Sequence, residues 1–405
     1  MKKRILAILF VCMFALGLVA ACADDSAPAA PAPAPAPAEA PAEAPAAAPA
    51  EPAPAAGEEA APAPAGLRPT TIVFPRTLEA LEDSPWWAAK VLGFWEEEGL
   101  DVTFEQSFGT TDIRMVALGQ ADFACPGTSF ILAGIEEGLP IKVVSAYDGI
   151  NIWGMCVLKD GPIQSWDDMK DAQNKYGRRL TVALGDAAWE MLVTPTIVAA
   201  GVDPVNDLEF VVAGEGRHIQ VKEGNLDMVF TWPGEAWQIM GQGFPFIYID
   251  GHDVLQINSN PLITNLNLIE NEPQVVEGLV RGLLKGMYFT RYSPEAAAAM
   301  MADVFPAIDI SWEGAIGVQL GRAYQMFGPP GGPLEKRLLD DLGKNWDDMW
   351  QAVMDTTVEA GVIQAPIPLD RVFTNAFVDN TSWSREEIQA IADNWDVESV
   401  KARHS

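Results

Sequence analysis

From Thr70 onward, short runs of β-branched and aromatic residues alternate with stretches whose apolar positions recur every three to four residues. "TTIVF" leads into a helical pattern over 85–98, "DVTFEQSF" into one over 112–118 and "ADFAC" into one over 129–137; "IKVVSAY" then closes the set. Strand-like alternation that repeatedly gives way to helical periodicity predicts βαβ units on a mostly parallel sheet. A second set follows: "RLTVAL", a helix over 187–200, "LEFVVAG", a short helix, "LDMVFTW", a helix from Gly234, and "PFIYID".

The two sets echo each other. "GQADFACPG…EEGLPIKVVSAYDG" and "GNLDMVFTWPG…GQGFPFIYIDG" share the order strand, Pro-Gly turn, helix, Gly-apolar-Pro, strand. Their offset of roughly one hundred residues is too long for a solenoid and predicts two similar α/β lobes. "NIWGMCVLKDG" lies between the sets and "NPLITNLNLIENEP" after them, both strand-like. Antiparallel pairing of these two would form the connection between the lobes. From Pro273 the chain reads as helices ("VVEGLVRGLLKGMYFTRY", "PEAAAAMMADVF"), broken by the loop "GPPGGP" at 328–333. This C-terminal part is expected to pack on the first lobe.

The beginning of the chain follows a different pattern. Met1-Lys2-Lys3-Arg4 is basic, and residues 5–21 form an apolar run too short and too early for an ordinary membrane span. Val19-Ala20-Ala21-Cys22 resembles the lipobox of bacterial lipoproteins, in which the cysteine is acylated. Acyl chains contribute about 0.8 kcal/mol per buried methylene, so two or three would hold a domain at a membrane surface. Residues 23–66 are almost only Ala, Pro and Glu, with no aromatic or large aliphatic side chain. Such a segment cannot bury a core. Alternate prolines favour polyproline II at about 3.1 Å per residue, a tether reaching ~130 Å.

Charge and composition narrow the partners. Of 405 residues, 56 are acidic and 26 are Lys or Arg, for a formal net charge of −30. A nucleic acid or an anionic lipid surface would be repelled, so neither is expected as a partner. Of four cysteines, Cys12 falls in the apolar run and Cys22 in the lipobox, leaving Cys125 and Cys156 for the body. An exported pair can form a disulfide, but both sit in apolar strand-like runs, where free buried thiols are expected. His218, His252 and His404 lack ligand-like spacing, so no metal site is expected.

In open α/β sheets, ligands sit beyond the carboxyl ends of the strands, against helix N-termini. The strand-to-helix junctions here are "SPWW", "FGTTD", "CPGTS", "YDGIN", "LGDAAW", "GEGRH" and "TWPGE". They supply the candidates for solute binding: Trp86, Thr110, Thr111, Thr128, Ser129, Tyr147, Asp186, Trp189, Glu215, Trp232 and Glu235. Hydroxyls orient a ligand, rings cover its faces, and carboxylates accept its N–H groups. For each residue taken alone, a helix cap or a core position explains it equally well. Arg217 can pair with an acid group or be solvated. No Gly-x-Ser-x-Gly elbow, phosphate loop, His-Glu-x-x-His or Cys-x-x-Cys pair is present, and no carboxylate pair stands out as catalytic.

"PWWAAKVLGFWEEEGLDVTF", "VALGQADFACPGTSFILAGIEEGLPIKVVSAY", "SWDDMKD" and "AAGVDP…LEFVVAG" resemble periplasmic substrate-binding proteins of ABC importers. The branch concerned is shared by binders of thiamine pyrimidine precursors, riboflavin, aliphatic sulfonates, taurine and nitrate. "NEPQVVEGLVRGLLKGMYFTRYSPEAAAAMM" and "EAGVIQAPIPLDRVFTNAFVD" carry the resemblance into the C-terminal helices. It implies an α/β, two-lobed, type II-like periplasmic-binding-protein fold with two crossing strands and C-terminal helices on the first lobe. The expected division is a lipoprotein signal at 1–21, the lipidated Cys22 with its tether to 66, the first part of lobe 1 at 67–157, lobe 2 at 158–261, and a crossing strand with lobe 1 helices at 262–405. The resemblance further implies a monomeric receptor without cofactor, lipid-anchored outside the cytoplasmic membrane, delivering a small solute to an ABC permease. The same fold includes the fungal thiamine-pyrimidine synthase, whose active site is cysteine-rich; with two body cysteines and export, this chain is not expected to be an enzyme. Acidic, aromatic junctions favour a flat nitrogen heterocycle, such as a pyrimidine precursor or flavin, over sulfonate, taurine or nitrate.

Overall fold

The computed structural model describes residues 66–78, 81–308 and 310–403. The basic start, the apolar run, Cys22 and all but the last residue of the expected tether lie outside them. Among the described residues, ten strands form two five-stranded sheets. The first contains β1 (Arg68–Phe74), β2 (Leu100–Gln106), β3 (Phe123–Ala124), β4 (Ile141–Ser145) and β10 (Leu262–Asn265), in the order β2-β1-β3-β10-β4. The second contains β5 (Gly154–Leu158), β6 (Leu180–Leu184), β7 (Leu208–Val212), β8 (Met228–Thr231) and β9 (Phe246–Ile249), in the order β7-β6-β8-β5-β9. Central strands are buried on both faces, as in Ile72, Val73 and Phe74 of β1, which is why they read as continuous apolar runs.

The echo in the sequence is an echo in topology. β2-β1-β3 and β7-β6-β8 are parallel sets of the same order. Each sheet then admits one antiparallel strand: β10 lies between β3 and β4, and β5 between β8 and β9. The two strand-like runs expected to pair with each other therefore do not. Each completes a different sheet, where it gains two neighbours instead of one. β5 also moves the expected lobe boundary, because a division at 157/158 would cut through Gly154–Leu158.

The chain crosses between the sheets at 146–153 and again at 250–261. These crossings touch: Asp148 N–H donates to Asn260 O at 3.1 Å, and Ser259 N–H donates to Asp148 O at 3.1 Å. The Ser259 hydroxyl donates to Ile150 O at 2.8 Å and accepts from Ile152 N–H at 2.9 Å.

Helix Pro273–Tyr292 packs on the first lobe along helix Ser84–Val91. Gly282 and Gly286 permit the approach, since a Cβ on Gly282 would overlap the Trp95 indole and one on Gly286 the Pro85 carbonyl. Trp95 Nε1 meanwhile donates to Leu279 O at 2.9 Å. The next long helix, Trp312–Phe327, also reaches the second lobe, lying against helix Pro233–Gly241. Among the described residues no helix is long and apolar enough to cross a membrane. Cys125 and Cys156 are buried free thiols.

Candidate functional site

The carboxyl ends of β1, β3 and β4 in one sheet and of β6 and β8 in the other open onto the same cleft, and the residues just beyond them line it. Its inner part is a cavity with about 680 Å³ of empty space, partly open to solvent. Phe74, Trp86 and Tyr147 wall it from the first lobe; Trp189, Phe230 and Trp232 wall it from the second. The rings are mutually braced. Trp86 and Tyr147 have centroids 4.7 Å apart, and Trp189 meets Trp232 edge-on at 5.8 Å.

Charged groups are set among these rings. Arg322 and Asp148 form an ion pair in which both side chains are almost fully buried. The Arg322 guanidinium lies 4.2 Å from the Tyr147 ring centroid and 3.9 Å from the Glu82 carboxylate. Arg76 grips Asp83 with two hydrogen bonds of 2.7 and 2.9 Å. Burial raises the Asp148 carboxyl above its usual range, against the opposing pull of Arg322. Burial likewise raises Glu82, opposed first by Arg76. Two polar atoms at the cavity lack partners among the described residues: the Tyr147 hydroxyl and Arg322 Nε. Such groups are costly to bury unsatisfied.

The sequence-derived candidates fall into three places. Trp86, Tyr147, Trp189 and Trp232 line the inner cavity. Asp186, Glu215 and Glu235 line a second, outer chamber together with Arg217. There Arg217 pairs with Glu235 at 2.5 Å, and Asp186 Oδ1 accepts from Ala188 N–H at 2.7 Å, so part of their capacity is used within the protein. Thr110, Thr111, Thr128 and Ser129 border neither space. Thr110 and Thr111 open helix Thr111–Ala117 toward the surface, whereas Thr128 and Ser129 are buried in the first turn of helix Thr128–Glu136, with Gly127 facing the cavity instead.

Sequence reading passed over Arg76, Glu82, Asp83, Asp148, Arg322 and Gln325, all on the cavity wall. Asp148 sits in the junction "YDGIN", and Glu82 and Asp83 immediately precede "SPWW", so position offered a signal for these three. Arg322 and Gln325 lie inside a long helix and offered none.

Residues 82–297 match the NMT1/THI5-like family. The chain belongs to that family. Over 339 residues it is 24% identical to the riboflavin-binding protein RibY of Chloroflexus aurantiacus, covering 82% of this chain and 92% of that one. Over 321 residues it is 18% identical to the 4-amino-5-hydroxymethyl-2-methylpyrimidine phosphate synthase of Legionella pneumophila, covering 74% and 90%. The solved periplasmic aliphatic sulphonate binding protein SsuA of Escherichia coli superposes with a TM-score of 0.55 at 13% identity, covering 78% of this chain and 95% of its own. The fold of this family member is thus the two-lobed α/β fold of periplasmic binding proteins.

Proposed function

We propose that the chain is a solute receptor of the ABC-import type that encloses a flat nitrogen heterocycle between its lobes. The observation that carries this reading is the inner cavity: aromatic faces from both lobes, buried carboxylates, and the unpartnered Tyr147 hydroxyl and Arg322 Nε at one wall. Rings cover the faces of a flat ligand, while the buried carboxylates of Glu82 and Asp148 give the wall a negative character that suits its N–H edge. Both arginines of the cavity already hold a protein carboxylate, which disfavours a sulfonate or nitrate as cargo. The likeness to a riboflavin-binding protein supports the same ligand class. Anchorage through Cys22, a monomeric state and delivery to an ABC permease belong to this reading, as does binding without turnover.

Mass spectrometry of what the chain, purified from its own host, releases on denaturation tests it, followed by a thermal-shift panel of heterocycles and sulfonates. A stoichiometric pyrimidine or flavin, or stabilisation by one, is the expected outcome. Release of a sulfonate would overturn the ligand class and leave the receptor standing.

A further inference from the structure

The outer chamber, open to solvent, has about 940 Å³ of empty space and shares a partition with the inner cavity. Pro75, Arg76, Trp189 and Trp232 line both spaces. Each indole of the partition carries a cation: Arg76 lies 5.7 Å from the Trp232 ring centroid and Arg217 lies 5.0 Å from that of Trp189. Beyond the partition the lining becomes polar, with Thr77 and Gln106 from the first lobe facing Asp186, Glu215 and Glu235 from the second.

Arg217 is the informative residue. Its side chain is only 2% exposed, yet its Nε has no hydrogen-bond partner among the described residues. Its Nη2 is held by Glu235, whose carboxylate also accepts from the Thr231 hydroxyl at 2.6 Å. Arg76 is committed to Asp83. Both cations of the chamber therefore already face a protein carboxylate, and Asp186 and Glu215 add two more negative groups. A phosphate there would meet this surplus of negative charge. A hydroxyl meets no such penalty, because it can accept from a buried N–H and donate to a carboxylate at once.

We infer that the outer chamber receives an uncharged, hydroxyl-bearing appendage of a ligand whose flat ring occupies the inner cavity, and that it selects against the phosphorylated form of the same molecule. The inference rests on the heterocycle reading above.

Calorimetric titration of the full chain with riboflavin, with its 5′-phosphate and with lumichrome, a flavin-derived ring lacking the side chain, tests it. Riboflavin should bind at least tenfold tighter than either of the others. Joint substitution Asp186→Asn and Glu215→Gln, with the fold checked by circular dichroism, should narrow the gap to the phosphate at least threefold. The same comparison is made between 4-amino-5-hydroxymethyl-2-methylpyrimidine and its phosphate. Equal affinity for alcohol and phosphate, or for riboflavin and lumichrome, would overturn the role of the outer chamber and leave the heterocycle reading intact. Failure of every ring compound to bind would overturn both.

Discussion

The indole Nε1 of Trp232 donates a 2.9 Å hydrogen bond to Oε2 of Glu82, across the cleft between the two lobes. The other oxygen of the same carboxylate accepts from Gln325 Nε2 at 3.1 Å. One buried acid thus ties the second lobe to the first and to helix Trp312–Phe327, directly at the wall of the cavity. The contact between the lobes and the wall of the cavity are carried by the same side chains.

Trp232→Phe keeps an aromatic face and removes the donor. A net loss of about 1 kcal/mol, typical of one hydrogen bond, should weaken ligand binding roughly fivefold, mainly through faster release. Stopped-flow fluorescence measures this, and an unchanged release rate would count against the latch. Gly234→Ala tests closure from the other side, because its new Cβ would lie 2.5 Å from Glu82 Cδ. Alanine itself suits a helix better than glycine by up to ~1 kcal/mol. The variant should therefore remain folded in urea titrations while small-angle scattering shows a larger radius of gyration.

Trp189→Ala and Trp232→Ala should each cost ~1–3 kcal/mol of ligand affinity, as expected for desolvated aromatic contacts at the centre of a site. Isothermal titration with the solute found by mass spectrometry reads the loss. Full affinity in both variants would remove the aromatic walls from the account of recognition.

Arg322 and Asp148 are 2% and 1% exposed, so neither charge can fall back on solvent. Arg322→Met would strand the Asp148 carboxylate beside Asn260, its remaining donor at 2.7 Å. A loss of about 3–5 kcal/mol of folding stability is expected, as for other buried pairs broken on one side. Adding Asp148→Asn should restore part of it. Urea midpoints compare the three proteins, and equal midpoints for wild type and Arg322→Met would contradict a structural role for the pair.

Asp112 is fully buried beneath the first sheet, with Oδ1 accepting from Ile113 N–H at 2.8 Å and Oδ2 unpartnered among the described residues. Burial pushes its carboxyl up to about 7. The folded state therefore binds this proton more tightly than the unfolded chain, and between roughly pH 4 and 7 it carries more protons. Stability from this group is present at low pH and is lost as pH rises through the folded value. Between pH 5 and 8 the loss should be about 2–3 kcal/mol. Urea titrations at the two pH values should show a smaller change in Asp112→Asn, and identical changes would refute the assignment.

The alternation of strand and helix patterns, the repeat of the whole set, and the aromatic junctions were determined by the sequence alone, because each depends on residues close together in the chain. Four of the junction residues, Trp86, Tyr147, Trp189 and Trp232, line the inner cavity for the same reason: a strand's carboxyl end and the start of the segment that follows it lie close together in the chain. Tertiary structure alone decided which strand enters which sheet. "NIWGMCVLKDG" and "NPLITNLNLIENEP" carry equivalent strand signals, and only burial between two antiparallel neighbours separates them into β5 and β10. The charged floor of the cavity was decided the same way. Arg322 meets Asp148 across 174 positions, from the interior of a helix where nothing local names its partner. A buried charge is marked by its partner, and the partner is chosen only when the chain has folded.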